Sequence, residues 1–233
     1  MEKKGIFYGV GVGPGDPEYM TLKAVRLIKE NEIIAVPGTV PEKTTAYQIA
    51  AGAVPELKKK TLAALPMPMT HDKEEMKKSH DKAAETIVSF LTAGKNVVFL
   101  TLGDPGVYST YLYLKKRVEQ YGYVSETVSG IPSFCAAAAK AGVSLGEWDE
   151  PIHILPAAYK LDEKLGLSGV YVLMKAGKKI GKVKEMLQSC KYESVMVENC
   201  GMPGERIIHG AEQIPEDAGY YSVIIARKRK KNE

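Results

Sequence analysis

Four short stretches of this 233-residue chain combine residue types and spacings suited to holding a ligand. The first is Gly9-Val10-Gly11-Val12-Gly13-Pro14-Gly15-Asp16-Pro17. Glycine at that density lets a backbone approach a ligand closely, because no Cβ stands in the way. A Walker phosphate loop needs a following Gly-Lys-Ser/Thr, and none follows, so nucleoside triphosphate binding is not indicated. The dinucleotide pattern Gly-x-Gly-x-x-Gly places its third glycine at position 14, which is Pro14, so that pattern fails too. Alone, the stretch reads first as a tight structural turn.

The second stretch is Thr101-Leu102-Gly103-Asp104-Pro105-Gly106-Val107-Tyr108, at the carboxyl end of an apolar run. Ligands bind at that end of the strands in open parallel sheets. It repeats the Gly-Asp-Pro of the first stretch at the same strand-end position, which argues against coincidence. Asp104 alone reads equally as a helix cap. The third stretch, Ser129 to Ala139, runs from a strand end through Gly130-Ile131-Pro132 into a helix of small residues. Close helix packing explains it, as does a ligand edge held by Ser133 and nearby backbone. In the fourth, Tyr171 to Gly177, Met174 is either core or ligand wall, and Lys175 either a solvated charge or a contact. Metal chemistry has no such stretch. His71, His80, His153 and His209 are scattered, and Cys135, Cys190 and Cys200 form no Cys-x-x-Cys pair, so reduced thiols are expected.

These stretches need a scaffold, and strand-like and helix-like segments alternate to supply it. Strands are expected at Gly5–Val12, Glu32–Val36, Asn96–Leu102 and 123–128, and helices at Tyr19–Asn31, Thr44–Ala53, Asp72–Ala93, Tyr108–Tyr121 and Ser133–Ala141. Near-continuous apolar strands between helices imply a parallel sheet covered on both faces. Beyond residue 150, strands at 152–155, 169–174, 194–198 and 220–226, with one helix at Lys178–Ser189, imply a mixed sheet. The fold class is therefore two α/β domains, residues 1–119 with a mainly parallel sheet and 120–233 with a mixed one, and a cleft between them. No internal repeat is visible.

Composition narrows the partners. The net charge of +4 resides in the tail from Arg227 to Glu233, which holds five of 32 basic residues and one of 28 acidic ones, so residues 1–226 are neutral. A solvated terminus is expected there, and a nucleic-acid-binding face is not. No run approaches the ~18 apolar residues of a membrane span, and Ile6–Val12 is too short for the apolar core of a signal sequence. A cytoplasmic location is expected.

Taken together, the motifs resemble the tetrapyrrole (class III) S-adenosylmethionine-dependent methyltransferase family over nearly the whole chain. The residues that carry the resemblance are the opening Gly-x-Gly-Pro-Gly-Asp-Pro, the central Gly-Asp-Pro, the Gly130-Ile131-Pro132-Ser133-Phe134 turn and the Met174-Lys175 strand end. Leu65-Pro66-Met67-Pro68-Met69-Thr70 and Glu198-Asn199-Cys200-Gly201-Met202-Pro203-Gly204-Glu205 look most like the members that methylate C20 of precorrin-2 or its cobalt-loaded counterpart. The resemblance implies S-adenosylmethionine in the cleft, a homodimer, no metal, and donor contacts from Pro14, Gly103, Asp104, Val107, Tyr108, Ser133, Phe134, Met174, Tyr221 and Ser222. Asp104 and Tyr108 are the candidates for accepting the meso proton. Lys43, Lys73, His153, Lys175 and Arg206 are candidates for binding the acceptor's carboxylates, since charge-assisted pairs to carboxylates are strong. The competing readings are another methylase of the same fold, acting on a different corrin position or on a modified histidine, and a binding module without activity. The intact Gly-Asp-Pro turns disfavour the latter.

Overall fold

The apolar run after Lys4 forms a strand because alternate side chains have a helix layer to enter on either face. In the computed structural model, which describes residues 4–68, 70, 72–157 and 167–228, β1 (Ile6–Gly11) is an inner strand of a five-stranded parallel sheet. Its companions are β2 (Ile33–Pro37), β3 (Thr61–Leu65), β4 (Val97–Thr101) and β5 (Val124–Val128), in the order β3-β2-β4-β1-β5. Side chains alternate between faces along each strand. Val10, Ile34, Val98 and Leu100 are buried with α1 (Leu22–Glu30) and α2 (Thr45–Ala53). Phe7, Ile33, Val97 and Phe99 are buried with α3 (Lys73–Thr92) and α4 (Tyr111–Gln120). Caps fix where helices begin: Thr21 Oγ1 accepts from Ala24 N at 3.2 Å, and Asp72 Oδ1 from Glu74 N at 2.8 Å.

The second sheet has the order β6-β7-β10-β8-β9, from β6 (Ile152–Pro156), β7 (Val170–Met174), β8 (Tyr192–Glu198), β9 (Arg206–His209) and β10 (Ser222–Lys228). β6 and β7 are parallel and the other neighbours antiparallel, so the sheet is mixed, as expected. α6 (Ile180–Ser189) buries Ile180, Val183 and Leu187 against Tyr171, Leu173, Met196 and Ile224. α5 (Ser133–Ala141) packs on β8 and β10.

Three expectations change. The chain divides into two compact units at Pro132/Ser133, not at 119/120, because β5 pairs with β1 and so completes the first sheet. β3 and β9 were not anticipated. β3 is Thr-Leu-Ala-Ala-Leu, weak in β-formers, and β9 is a four-residue edge strand with mostly exposed side chains. Arg227 belongs to β10 and pairs with Glu150 at 3.0 Å and Glu147 at 3.4 Å, so the basic tail loses its first member to the fold. Residues 229–233 lie outside the described residues. Among the described residues no helix is long and apolar enough to cross a membrane, and no group of three or more His, Cys, Asp or Glu is arranged to hold a metal.

Candidate active site

In the first unit, the chain leaves β1 toward β2 and β4 toward β5, opposite edges of the sheet, so their adjacent carboxyl ends lie at the reversal of strand order where open parallel sheets bind ligands. The two glycine-rich turns meet there. Gly103 N donates to Gly13 O at 2.8 Å and Gly13 N to Gly103 O at 3.3 Å, with φ of 70° and 75° at the two residues. The turn after β5 joins them. A Cβ on Gly130 would stand 2.2 Å from Gly103 O, and one on Gly11 2.6 Å from both Gly103 O and Gly130 N. Gly11, Gly103 and Gly130 thus pack main chain against main chain, a contact that no side-chain-bearing residue permits.

Asp104 binds this floor together. Its Oδ1 accepts Gly106 N at 2.6 Å, and its Oδ2 accepts Gly130 N at 3.0 Å. Asp16, in the other Gly-Asp-Pro turn, caps only its own turn through Glu18 N at 2.9 Å. The two motifs therefore have different structural work despite identical sequence. Val107 N donates to Asp104 O, Tyr108 is held in the left-handed region at φ 48° with a half-exposed ring, and Pro14 is buried. The structure thus brings Pro14, Gly103, Asp104, Val107 and Tyr108 to one edge of the first unit.

In the second unit, Met174, Lys175, Tyr221 and Ser222 gather at one edge of the mixed sheet. Met174 ends β7 opposite Val223, and Ser222 opens β10. Lys175 follows in the left-handed region at φ 56°, and burial lowers its pKa. Ser222 is buried, its Oγ donating to Gly219 O at 2.9 Å. Tyr220 and Tyr221 meet edge to face with ring centroids 5.4 Å apart, and burial raises the Tyr220 pKa. Ser133 and Phe134 begin α5, Phe134 buried and Ser133 half-buried.

The basic candidates separate. Lys43 and Lys73 are exposed on the segments after β2 and β3, at the carboxyl edge of the first sheet. His153 and Lys175 do not converge. His153 pairs in register with Tyr171, four residues before Lys175, so about 13 Å of strand separates them. His153 Nε2 donates to Ser168 O at 2.9 Å and its ring stacks on Tyr171, so that nitrogen is already used. Arg206 is engaged within the fold. It forms a two-pronged pair with Glu198, Nε at 2.7 Å and Nη2 at 2.5 Å from Oε2, so its charge is matched within the fold. Met69 and His71 lie outside the described residues.

Sequence reasoning passed over Gly130 as a floor residue and Glu198 as a ligand of backbone. A glycine before Pro-Ser signals a turn, but its approach to Gly103 depends on the order of strands. Glu198 closes an apolar strand, and a buried glutamate there is a signal only once its partner eight residues on is known to lie opposite.

The sequence profile of the Tetrapyrrole (Corrin/Porphyrin) Methylases matches residues 7–214. The chain belongs to the tetrapyrrole methylase family. A Methanocaldococcus jannaschii tetrapyrrole methylase named probable cobalt-precorrin-2 C(20)-methyltransferase is 32% identical over 228 residues, covering 96% of each chain. A Sinorhizobium precorrin-2 C(20)-methyltransferase is 28% identical, over 95% of this chain and 94% of its own. Among solved structures, a Thermus thermophilus uroporphyrin-III C-methyl transferase complexed with S-adenyl homocysteine has the same fold. Its TM-score is 0.73 at 20% identity, covering 96% of this tetrapyrrole methylase and 97% of its own chain.

Proposed function

We propose that this tetrapyrrole methylase transfers the methyl group of S-adenosylmethionine to the C20 meso carbon of precorrin-2, or of its cobalt-loaded form, in cobalamin biosynthesis. The observation that carries the reading is similarity over almost the full length to relatives named for that reaction, one for each form of the acceptor.

The first unit fits such a donor. Its strand-end turns form a floor of glycine main chain, with both oxygens of the Asp104 carboxylate bonded to backbone. A nucleoside with a sulfonium calls for close main-chain approach, which such a floor permits. In this reading the donor contacts are Pro14, Gly103, Asp104, Val107, Tyr108, Ser133, Phe134, Met174, Tyr221 and Ser222. When bound, the donor supplies an electrophilic methyl group, which the nucleophilic meso carbon of a reduced tetrapyrrole displaces in line from a neutral thioether.

The protein's own share is alignment, a contribution worth up to ~7–11 kcal/mol in well-oriented systems. Asp104 acts by positioning the turns. Its two oxygens hold main-chain N–H groups, and Asp104 and Tyr108 are the two proton acceptors to test. Lys175, with Lys43 and Lys73, binds acceptor carboxylates. The active form is a homodimer, in keeping with the resemblance. Incubation with carbon-13 methyl donor and precorrin-2, then its cobalt complex, followed by carbon NMR, tests the reading. A methyl resonance on the meso carbon is expected. A methyl on a pyrrole β-carbon assigns another step, and no incorporation with either acceptor overturns the assignment.

A further inference from the structure

We infer that Glu198 and Arg206 are positioning residues that hold the Tyr220–Tyr221 turn in its donor-binding conformation. The inference rests on the proposed donor role of Tyr221 and Ser222.

Glu198 lies at the centre of a cross-strand row. It pairs with Ser222 on β10 to one side and with Arg206 on β9 to the other. The residue is only 4% exposed, yet its carboxylate is fully engaged. Oε1 accepts the main-chain N–H of Gly219 at 2.5 Å, and Oε2 takes both prongs of Arg206. The neighbouring Asn199, in the left-handed region at φ 52°, donates its N–H to Tyr221 O at 3.1 Å. Ser222 Oγ closes the turn onto Gly219 O. The end of β8 therefore grips the turn before β10 at Gly219 and Tyr221, the residues that flank Tyr220. Removing one partner of a buried ion pair is strongly destabilising, so each member depends on the other's place. Arg206 thus fixes Glu198, and Glu198 fixes the turn.

The test is calorimetric binding of S-adenosylhomocysteine to the full-length protein and to Glu198→Gln, Arg206→Ala, their double variant, Arg206→Lys and Gly219→Ala, with melting recorded for each. Expected for Glu198→Gln and Arg206→Ala is about tenfold or greater weakening, the range of a lost charge-assisted bond. The double variant is expected to be no weaker than the worse single, and Arg206→Lys to recover most of the affinity. Gly219→Ala, whose Cβ would stand 3.1 Å from Glu198 Oε1, is expected to weaken binding without removing a charge, and it serves if the charge variants fail to fold. Binding within twofold of wild type in folded variants overturns the inference. So does an Arg206→Ala effect confined to the acceptor's Michaelis constant, which returns Arg206 to the acceptor. A wild-type protein that binds no S-adenosylhomocysteine overturns the donor reading itself, and the positioning role with it.

Discussion

The carboxylate of Asp104 accepts the main-chain N–H of Gly130 at 3.0 Å, joining the turn after β4 to the turn after β5 across 26 residues of sequence. Asp104→Ala removes that bond and the one to Gly106 N. We expect donor affinity to fall by about 1.5–3 kcal/mol, the cost of losing a charge-assisted bond. Calorimetry with S-adenosylhomocysteine measures it. A lowered melting temperature with unchanged affinity would make Asp104 a brace and nothing more.

Gly130→Ala tests the glycine floor. Its Cβ would meet Gly103 O at 2.2 Å, and backbone there has nowhere to go. Destabilisation of about 1–3 kcal/mol or more is expected from such overpacking. Gly181→Ala, on α6 with nothing within 4 Å of the added Cβ, is the control, with stability unchanged or raised by up to about 1 kcal/mol. Chemical denaturation of the two variants side by side reads the difference.

How far the sequence goes is clear from these glycines. The strand and helix alternation was legible because apolar runs and helical spacing are local, and Ser133–Ala141 is a helix over the bounds expected. The position of the Gly-Asp-Pro turns followed from strand ends. Which turn Asp104 reaches did not, because that depends on β5 lying beside β1, a pairing set by tertiary packing. Likewise, that Arg206 faces Glu198 depends on the β8–β9 register, which the sequence alone does not show. Local patterns name the elements, and long-range pairing decides what a charged side chain touches.

His80 gives a pH dependence. Burial, with Arg117 nearby, lowers its pKa below the usual value, and its ring stacks on Tyr113 at 5.2 Å. The unfolded chain therefore takes up a proton near pH ~6.5, where the folded chain does not. Its contribution to stability is full above that pH and is lost as pH falls through the folded value. Melting temperatures of wild type and His80→Asn from pH 7.5 to 5 check this. The variant is expected to lose less stability across that range, and parallel curves would contradict the assignment.

Thiol reactivity should separate the cysteines. Cys200 is buried and its pKa is pushed up to about 11, by burial first and the nearby Glu205 second. At pH 8 its thiol is protonated and shielded, while Cys190 is exposed. Alkylation by iodoacetamide, followed by peptide mass spectrometry, is expected to mark Cys190 well before Cys200. Equal rates in the native protein would show that the β8 end opens readily.

The central place of β1 has a consequence for how this chain is made. Phe7 pairs with Val97 and Ile6 with Val124, so β1 finds neither neighbour until 90 to 118 further residues have been made. At ~5–20 residues per second, the interval is about 5–25 seconds. Throughout it an apolar strand has both edges unpaired, a state open to pairing with other chains.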